Sequence, residues 1–434
     1  MTQAVPFPSS AATTAEPWLR DRAWDRVFIT GGALLAIVPI ALYYLLTGMG
    51  ASVATAEDLV TLVVMVLVGG PHVFATYTRT FLQPGFRRRE PLMFAGALVV
   101  IAVVVGAAAS SAFFQATLGG YPPIQYVLTF FFFWAGVHIV HQSSYCATCY
   151  GIRAGDRADP RRRWLDRVDY LVMLGCLYPM SFFRMSMIGD PARGAVADPD
   201  ALATRIVVDL SGSAAFADEY VFRIGRVAPI LPDFVRADAF WIAVTVAFFA
   251  AVAVFGWKSW RQQQDGTLNR PRFALVAATA VVGFVVPWFP NLDTSFQGFN
   301  AWHSFQYLGI VWLWNRRAYD RGEARGALAE RIAAPGRARS FYRIGLVTTL
   351  GLLGLILAVG WVIELSTGGQ FRMFGHDAAG GDSITGGAGY RPGSVLLAYY
   401  MVAFAFLLVH YLHDGIFFLR HRDLVPEAAE LRRG

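Results

Sequence analysis

An all-α, polytopic integral membrane helix bundle of about ten transmembrane helices is what this sequence predicts, and three observations predict it. Of the 434 residues, 56% are hydrophobic and only 15% charged, with a mean hydropathy of +0.45, whereas a soluble domain carries about 25% charged residues. Apolar runs close to the ~20 residues that a helix needs to cross hydrocarbon recur from residue 27 to residue 419, and no polar block between them is large enough to fold separately. Arginine, finally, alternates from loop to loop as the positive-inside rule requires.

Residues 1–26 read as a cytoplasmic tail. Residues 1–17 within it have no basic start and no apolar core of a cleaved signal, so the first span doubles as the targeting signal. Spans are expected near 27–47, 58–82, 91–113, 123–147, 168–188, 238–258, 271–289, 295–316, 341–365 and 394–419, which together make one transmembrane domain over 27–419. Pro287, Pro290 and Asn291 leave only a tight turn, or a re-entrant hairpin, between the seventh and eighth.

With the N-terminus inside, the inner loops hold Arg87, Arg88 and Arg89, then Arg153 to Arg163, then Lys258 to Arg272, then Arg316 to Arg339. The C-terminal tail, 420–434, carries Arg420, Arg422, Arg432 and Arg433. Outer loops 48–57, 114–122 and 290–294 contain neither Lys nor Arg. Both termini are therefore expected in the cytoplasm and the chain in a plasma membrane, the inner membrane of a bacterium. The same distribution turns the net charge of +7 into a topology signal and excludes a nucleic-acid partner. Of the two longer outer segments, 189–237 mixes charges and reads as an amphipathic element on the outer face. The other, 366–393, is a Gly-rich loop. Cys146, Cys149 and Cys176 are too few and too apolar in setting for a disulfide framework, and the first two read as buried thiols.

Six of the eight histidines fall inside predicted spans: His72, His138, His141, His303, His410 and His413. Ionisable groups are costly in hydrocarbon, which makes such residues functional by default. All four helices run from outside to inside. His72 lies seven residues before Arg79, His141 twelve before Arg153, His303 thirteen before Arg316 and His410 ten before Arg420, depths of roughly 10–20 Å from the inner face. One layer can hold them all. Spacing of three or four residues extends each into a polar stripe: His138, His141, Gln142, Tyr145; His303, Gln306, Tyr307; His410, His413, Asp414; His72, Thr76, Arg79.

Neutral imidazole is the commonest metal ligand, and paired ligands on facing helices build metal sites in bundles. The six histidines and Asp414 are therefore the expected metal ligands. Tyr145 and Tyr307 are the catalytic candidates, while Gln142, Gln306 and Arg79 are expected to orient ligands or hold a cofactor or an anionic group. Imidazole with a carboxylate and no thiolate suits iron first, then copper or zinc. His376 and His421 read as solvated and are excluded. Three explanations compete for the layer: a metal or haem site, hydrogen-bonded packing between helices, and a proton or substrate relay.

The favoured expectation is a non-haem iron or dinuclear metal oxidoreductase that acts with oxygen on a lipid-like or apolar small-molecule substrate, with an electron donor as a further partner. The alternative is a haem-carrying electron-transfer protein or a proton-coupled transporter. The clustered H-x-x-x-H and H-x-x-H-H boxes of membrane desaturases and alkane hydroxylases are absent from the sequence. The scatter of histidines over several spans is similar in kind to that of the bacterial membrane carotene dioxygenases, without a motif that matches residue by residue. In the second span, Gly69, Gly70 and Pro71 break the helix immediately before His72, as transporters break helices at their sites or as a metal site presents a ligand.

Overall fold

The structure, a computed structural model, describes residues 18–83, 85–154, 163–189, 197–223, 228–323, 326–367 and 394–418. Most of both tails and of the Gly-rich loop, with His376 and His421, lie outside the described residues. Every named element among the described residues is helical. In chain order the main helices are α1 (Arg22–Gly48), α2 (Val53–Arg79), α3 (Pro91–Phe113), α4 (Pro123–Arg153), α5 (Arg163–Gly175), α6 (Tyr178–Ser186) and α7 (Leu202–Ser211). They continue with α8 (Ala214–Tyr220), α9 (Asp238–Gln264), α10 (Arg270–Trp288), α11 (Leu292–Asp320), α12 (Ala338–Ser366) and α13 (Ser394–Phe417).

Eight of these are long and apolar enough to cross a membrane: α1, α2, α3, α4, α9, α10, α12 and α13. Two of the ten expected spans fall outside that set, for different reasons. The fifth is divided between α5 and α6, with Pro179 in the first turn of the second piece. The eighth, α11, is one unbroken helix of 29 residues, about 43 Å long and so more than a hydrocarbon core in length. It lacks the apolar content because it carries Asn300, His303, Ser304, Gln306 and Asn315 among its side chains. Three residues join α10 to α11. Arg184 of α6, fully buried, donates from Nη1 to the carbonyls of Pro287 (3.0 Å) and Phe289 (2.8 Å) and from Nη2 to that of Pro290 (2.8 Å). It takes up carbonyls that the end of α10 leaves free. The segment expected to be amphipathic at 189–237 contains α7 and α8.

Helix burial divides core from periphery. The most apolar stretches of α9, α12 and α3 are only 11%, 17% and 22% buried, whereas those of α2, α4 and α13 are 44%, 44% and 50% buried. A helix whose polar residues have no partner in lipid must turn them inward, and α2, α4, α11 and α13 do so around one point. Close approach is what allows it. A Cβ on Gly298 of α11 would lie 2.4 Å from the Ala36 carbonyl oxygen of α1, and one on Gly70 of α2 would lie 2.2 Å from Cγ2 of Thr349 on α12. At the arginine-rich end, Asp169 of α5 is buried between Lys258 of α9 and Arg272 of α10, and Arg272 also pairs with Asp166 at 2.5 Å. These charges tie three helices together.

Candidate metal centre

His72 owes its position to the Gly-Gly-Pro run. Pro71 has no N–H to donate to the carbonyl four residues earlier, and α2 answers with a π-helical turn over Met65–Gly69. The freed Leu67 carbonyl accepts instead from the Tyr342 hydroxyl of α12 at 2.8 Å. The ring Nδ1 of His72 then donates to Gly69 O at 3.0 Å, and it also meets Ser304 Oγ at 3.2 Å, whose own proton goes to Asn300 Oδ1. Nδ1 therefore carries the proton, and Nε2 keeps a bare lone pair. That Nε2 is buried without a hydrogen bond.

His410 is arranged in the same way from α13, below a second π-helical turn, Tyr400–Phe404. Its Nδ1 lies 2.6 Å from Thr76 Oγ1, which in turn sits 2.7 Å from the Tyr307 hydroxyl and 3.2 Å from Asp414 Oδ1. Tyr307 donates to the same Asp414 Oδ1 at 2.5 Å. With the Thr76 proton donated to Asp414 Oδ1, Thr76 accepts from His410 Nδ1–H. The Nε2 atom is again left bare, buried and unbonded. Holding the far nitrogen of a ligating imidazole is how proteins fix the tautomer that a metal needs.

His138 of α4 and His303 of α11 complete the group. Their Nε2 atoms stand 3.1 Å apart, and the Tyr411 ring stacks on His138 with centroids 4.1 Å apart. One ligand nitrogen from each of His72, His138, His303 and His410 falls within 4.8 Å of the other three, and all four residues are buried. A fifth donor adjoins them. Asp414 Oδ2, fully buried and without a hydrogen bond, lies 3.5 Å from His410 Nε2 and 3.7 Å from His138 Nε2.

The remaining predicted residues divide into supports and outliers. Gln142 Nε2 donates to His303 O (3.1 Å) and to Gln306 Oε1 (2.7 Å), and Gln306 Nε2 donates to Ile29 O (2.8 Å). The two glutamines thus stitch α4, α11 and α1 together beside the cluster. Tyr307 belongs to the hydrogen-bond network on Asp414. Tyr145 accepts from Trp314 Nε1 at 3.2 Å. Arg79 closes α2 and lies near enough to Tyr307 to act on it electrostatically.

His141 and His413 do not join the four. His141 is half-buried beside Tyr170 at 6.2 Å, and His413 packs among Phe81, Phe86 and Tyr77. The sequence reading passed over Ser304 and Tyr411. Ser304 adjoins His303 and Tyr411 adjoins His410, which is the signal that would have found them. Cys146 and Cys149 are buried in the core of α4. Comparison of the chain with protein-family models, curated proteins and solved structures returned no match.

Proposed function

We propose that this chain is an integral membrane metalloprotein in which His72, His138, His303, His410 and Asp414 hold a redox-active transition metal, iron in the first place. The observation that carries the reading is the convergence of four buried imidazole nitrogens within 4.8 Å. Around a metal at about 2.0–2.1 Å, neighbouring nitrogen donors lie about 3–3.4 Å apart, and the His138–His303 separation of 3.1 Å already has that value. Charge agrees as well. An ionised Asp414 has no cation beside Oδ2 among the described residues, and burying such a carboxylate alone is costly; a divalent ion offsets it.

Four imidazoles and a carboxylate without thiolate favour iron over a closed zinc site. A bound iron would supply oxygen activation at a place that helices shield from water. The protein residues then have separate tasks. Thr76 and the Gly69 carbonyl hold the His410 and His72 tautomers, Tyr307 and Asp414 share a proton at 2.5 Å, and the apolar bundle admits a lipid-like or other apolar substrate. Insertion of one atom of dioxygen, with the other leaving as water, draws two electrons and two protons from a donor; insertion of both atoms draws none.

Haem fits less well, because imidazoles that converge from α2, α4, α11 and α13 leave no plane for a macrocycle between them. The network from His410 through Thr76 and Tyr307 to Asp414 favours one second reading, a proton relay in a transporter. We read the eight apolar helices with α5–α6 and α11 as ten crossings, both termini on the cytoplasmic side of a plasma membrane.

Purification in mild detergent without chelator, with metal analysis and a visible spectrum, tests the proposal. One or two irons or coppers per chain without a Soret band support it. A Soret band transfers the case to haem, and a metal-free, folded, colourless protein transfers it to the relay.

A further inference from the structure

His413 is the residue that the metal centre leaves unexplained. It is fully buried and lies next to Asp414, one helical turn or about 5 Å along α13 from His410. Its ring approaches the backbone of Met93, but neither nitrogen completes a hydrogen bond of ordinary geometry. A histidine kept in hydrocarbon for packing alone would bond at least one of them. The ring lies instead against Phe81 (5.1 Å) and Phe86 (5.6 Å). These two residues form part of the lining of a cavity of about 510 Å³ between the end of α2 and the start of α3.

That cavity has two chemistries. Phe81, Phe86 and Phe94 build an aromatic wall, with Phe81 edge-on to Phe86 at 5.8 Å and to Phe94 at 6.0 Å. Arg87 and Arg88, both exposed, stand at its rim. An apolar body with a negative head fits both parts, and the cavity lies at the arginine-rich end of the bundle, where such molecules sit in a bilayer. We infer that this cavity binds an anionic amphiphile, a long-chain carboxylate or a lipid phosphate, with its head on Arg87 and Arg88 and its apolar part against Phe81, Phe86 and Phe94. His413 stands behind that wall, against Phe81 and Phe86 and next to Asp414, and so outside the lining itself. Binding stands on the cavity alone; that the occupant is the substrate rests on the metal reading.

The test uses the full chain in phosphatidylcholine nanodiscs and measures binding of radiolabelled oleate and oleyl alcohol, together with metal content. Oleate should bind at least tenfold more tightly than the alcohol. Arg87→Gln with Arg88→Gln should weaken oleate by about fivefold per arginine, since each basic group at a membrane surface contributes about 1 kcal/mol. Phe94→Ala, which removes part of the aromatic wall, should weaken it severalfold, and metal content should stay at the parent level in all variants. Displacement of oleate by phosphatidylglycerol identifies a lipid as the resident source of the anion, and its failure to displace identifies the free acid. Equal affinity for acid and alcohol, or unchanged oleate binding in both variants, overturns the inference. Loss of metal in the parent protein with oleate binding intact would refute the metal reading alone.

Discussion

Thr76→Val is the perturbation that separates a metal site from a packed cluster of histidines. Valine keeps the volume and branching of threonine, so the substitution removes one hydroxyl and little else. That hydroxyl makes three contacts, to His410 Nδ1 at 2.6 Å, Tyr307 OH at 2.7 Å and Asp414 Oδ1 at 3.2 Å. Hydrogen bonds between membrane helices are worth about 0.6 kcal/mol each on average, so the metal-free protein should lose no more than about 2 kcal/mol. The metal-bound protein loses something more specific, the group that holds His410 in the tautomer whose Nε2 is free. Removal of such partners costs about 10–100-fold in metal affinity, or roughly 1.4–2.7 kcal/mol on top of the loss in fold stability.

The assay is a chelator competition series on the variant and parent in the same detergent, with thermal unfolding measured on apo and reconstituted samples. A tenfold or larger fall in affinity, accompanied by a smaller gap between apo and holo melting temperatures, is the expected result. Affinity within twofold of the parent would refute the reasoning, because the hydroxyl would then be packing and not orienting a ligand.

The other predictions follow from single contacts. His72→Ala, His138→Ala, His303→Ala and His410→Ala should each reduce bound metal by at least tenfold in elemental analysis, while His141→Ala and His413→Ala keep it at the parent level. Asp414→Asn should act with opposite sign in the two states. The apo protein gains on the order of 1–3 kcal/mol because a buried, half-unsatisfied carboxylate is gone, whereas the holo protein loses stability because a charged donor is gone; melting curves of both states read the two signs. Gly70→Ala should destabilise by about 1–3 kcal/mol through overpacking, since its Cβ would meet Thr349 at 2.2 Å. A second change, Thr349→Gly, should restore most of that loss in denaturant titrations. Asp169→Asn should cost about 3–5 kcal/mol, the usual result of removing one partner from a buried ion pair, because Lys258 and Arg272 both depend on that carboxylate.

Much of this architecture was legible in the sequence, and the misses have physical causes. Hydropathy marks a helix by what it shows to lipid, so α9 and α12 are plain while α11, shielded and polar, is harder to read and leaves a re-entrant hairpin open beside a full span. The histidine layer was visible because depth follows from residue counts at 1.5 Å per residue. Which histidines meet was not. His138 and His141, like His410 and His413, are three residues apart and so differ by about 60° around the helix. A stripe that wide counts as one face for packing, but a cluster less than 5 Å across selects one member of each pair. His141 turns to Tyr170 and His413 to the aromatic wall.

The break at Gly69–Pro71 is, in the sequence, a feature shared by transporters and metal sites. One consequence, the Gly69 carbonyl taken up by the His72 ring, is local, but the other, the Leu67 carbonyl passed to Tyr342, depends on a helix more than 270 residues away in the chain. Local pattern cannot supply such a contact. The places of Asp169 and Arg184 are illegible in the sequence for a related reason. A charged residue near a span end is compatible both with the interface and with a buried partner, and only the packing of α5, α6, α9 and α10 decides between the two.

X-ray absorption at the edge of whatever metal copurifies with the chain tests the central claim most directly, because it reports the donor atoms themselves. Four imidazoles and a carboxylate predict a nitrogen and oxygen shell at about 2.0–2.2 Å with the outer-sphere scattering of imidazole rings, reduced in the His410→Ala protein. A sulfur shell near 2.3 Å, a spectrum without imidazole scattering, or a folded protein that holds no metal would contradict the account.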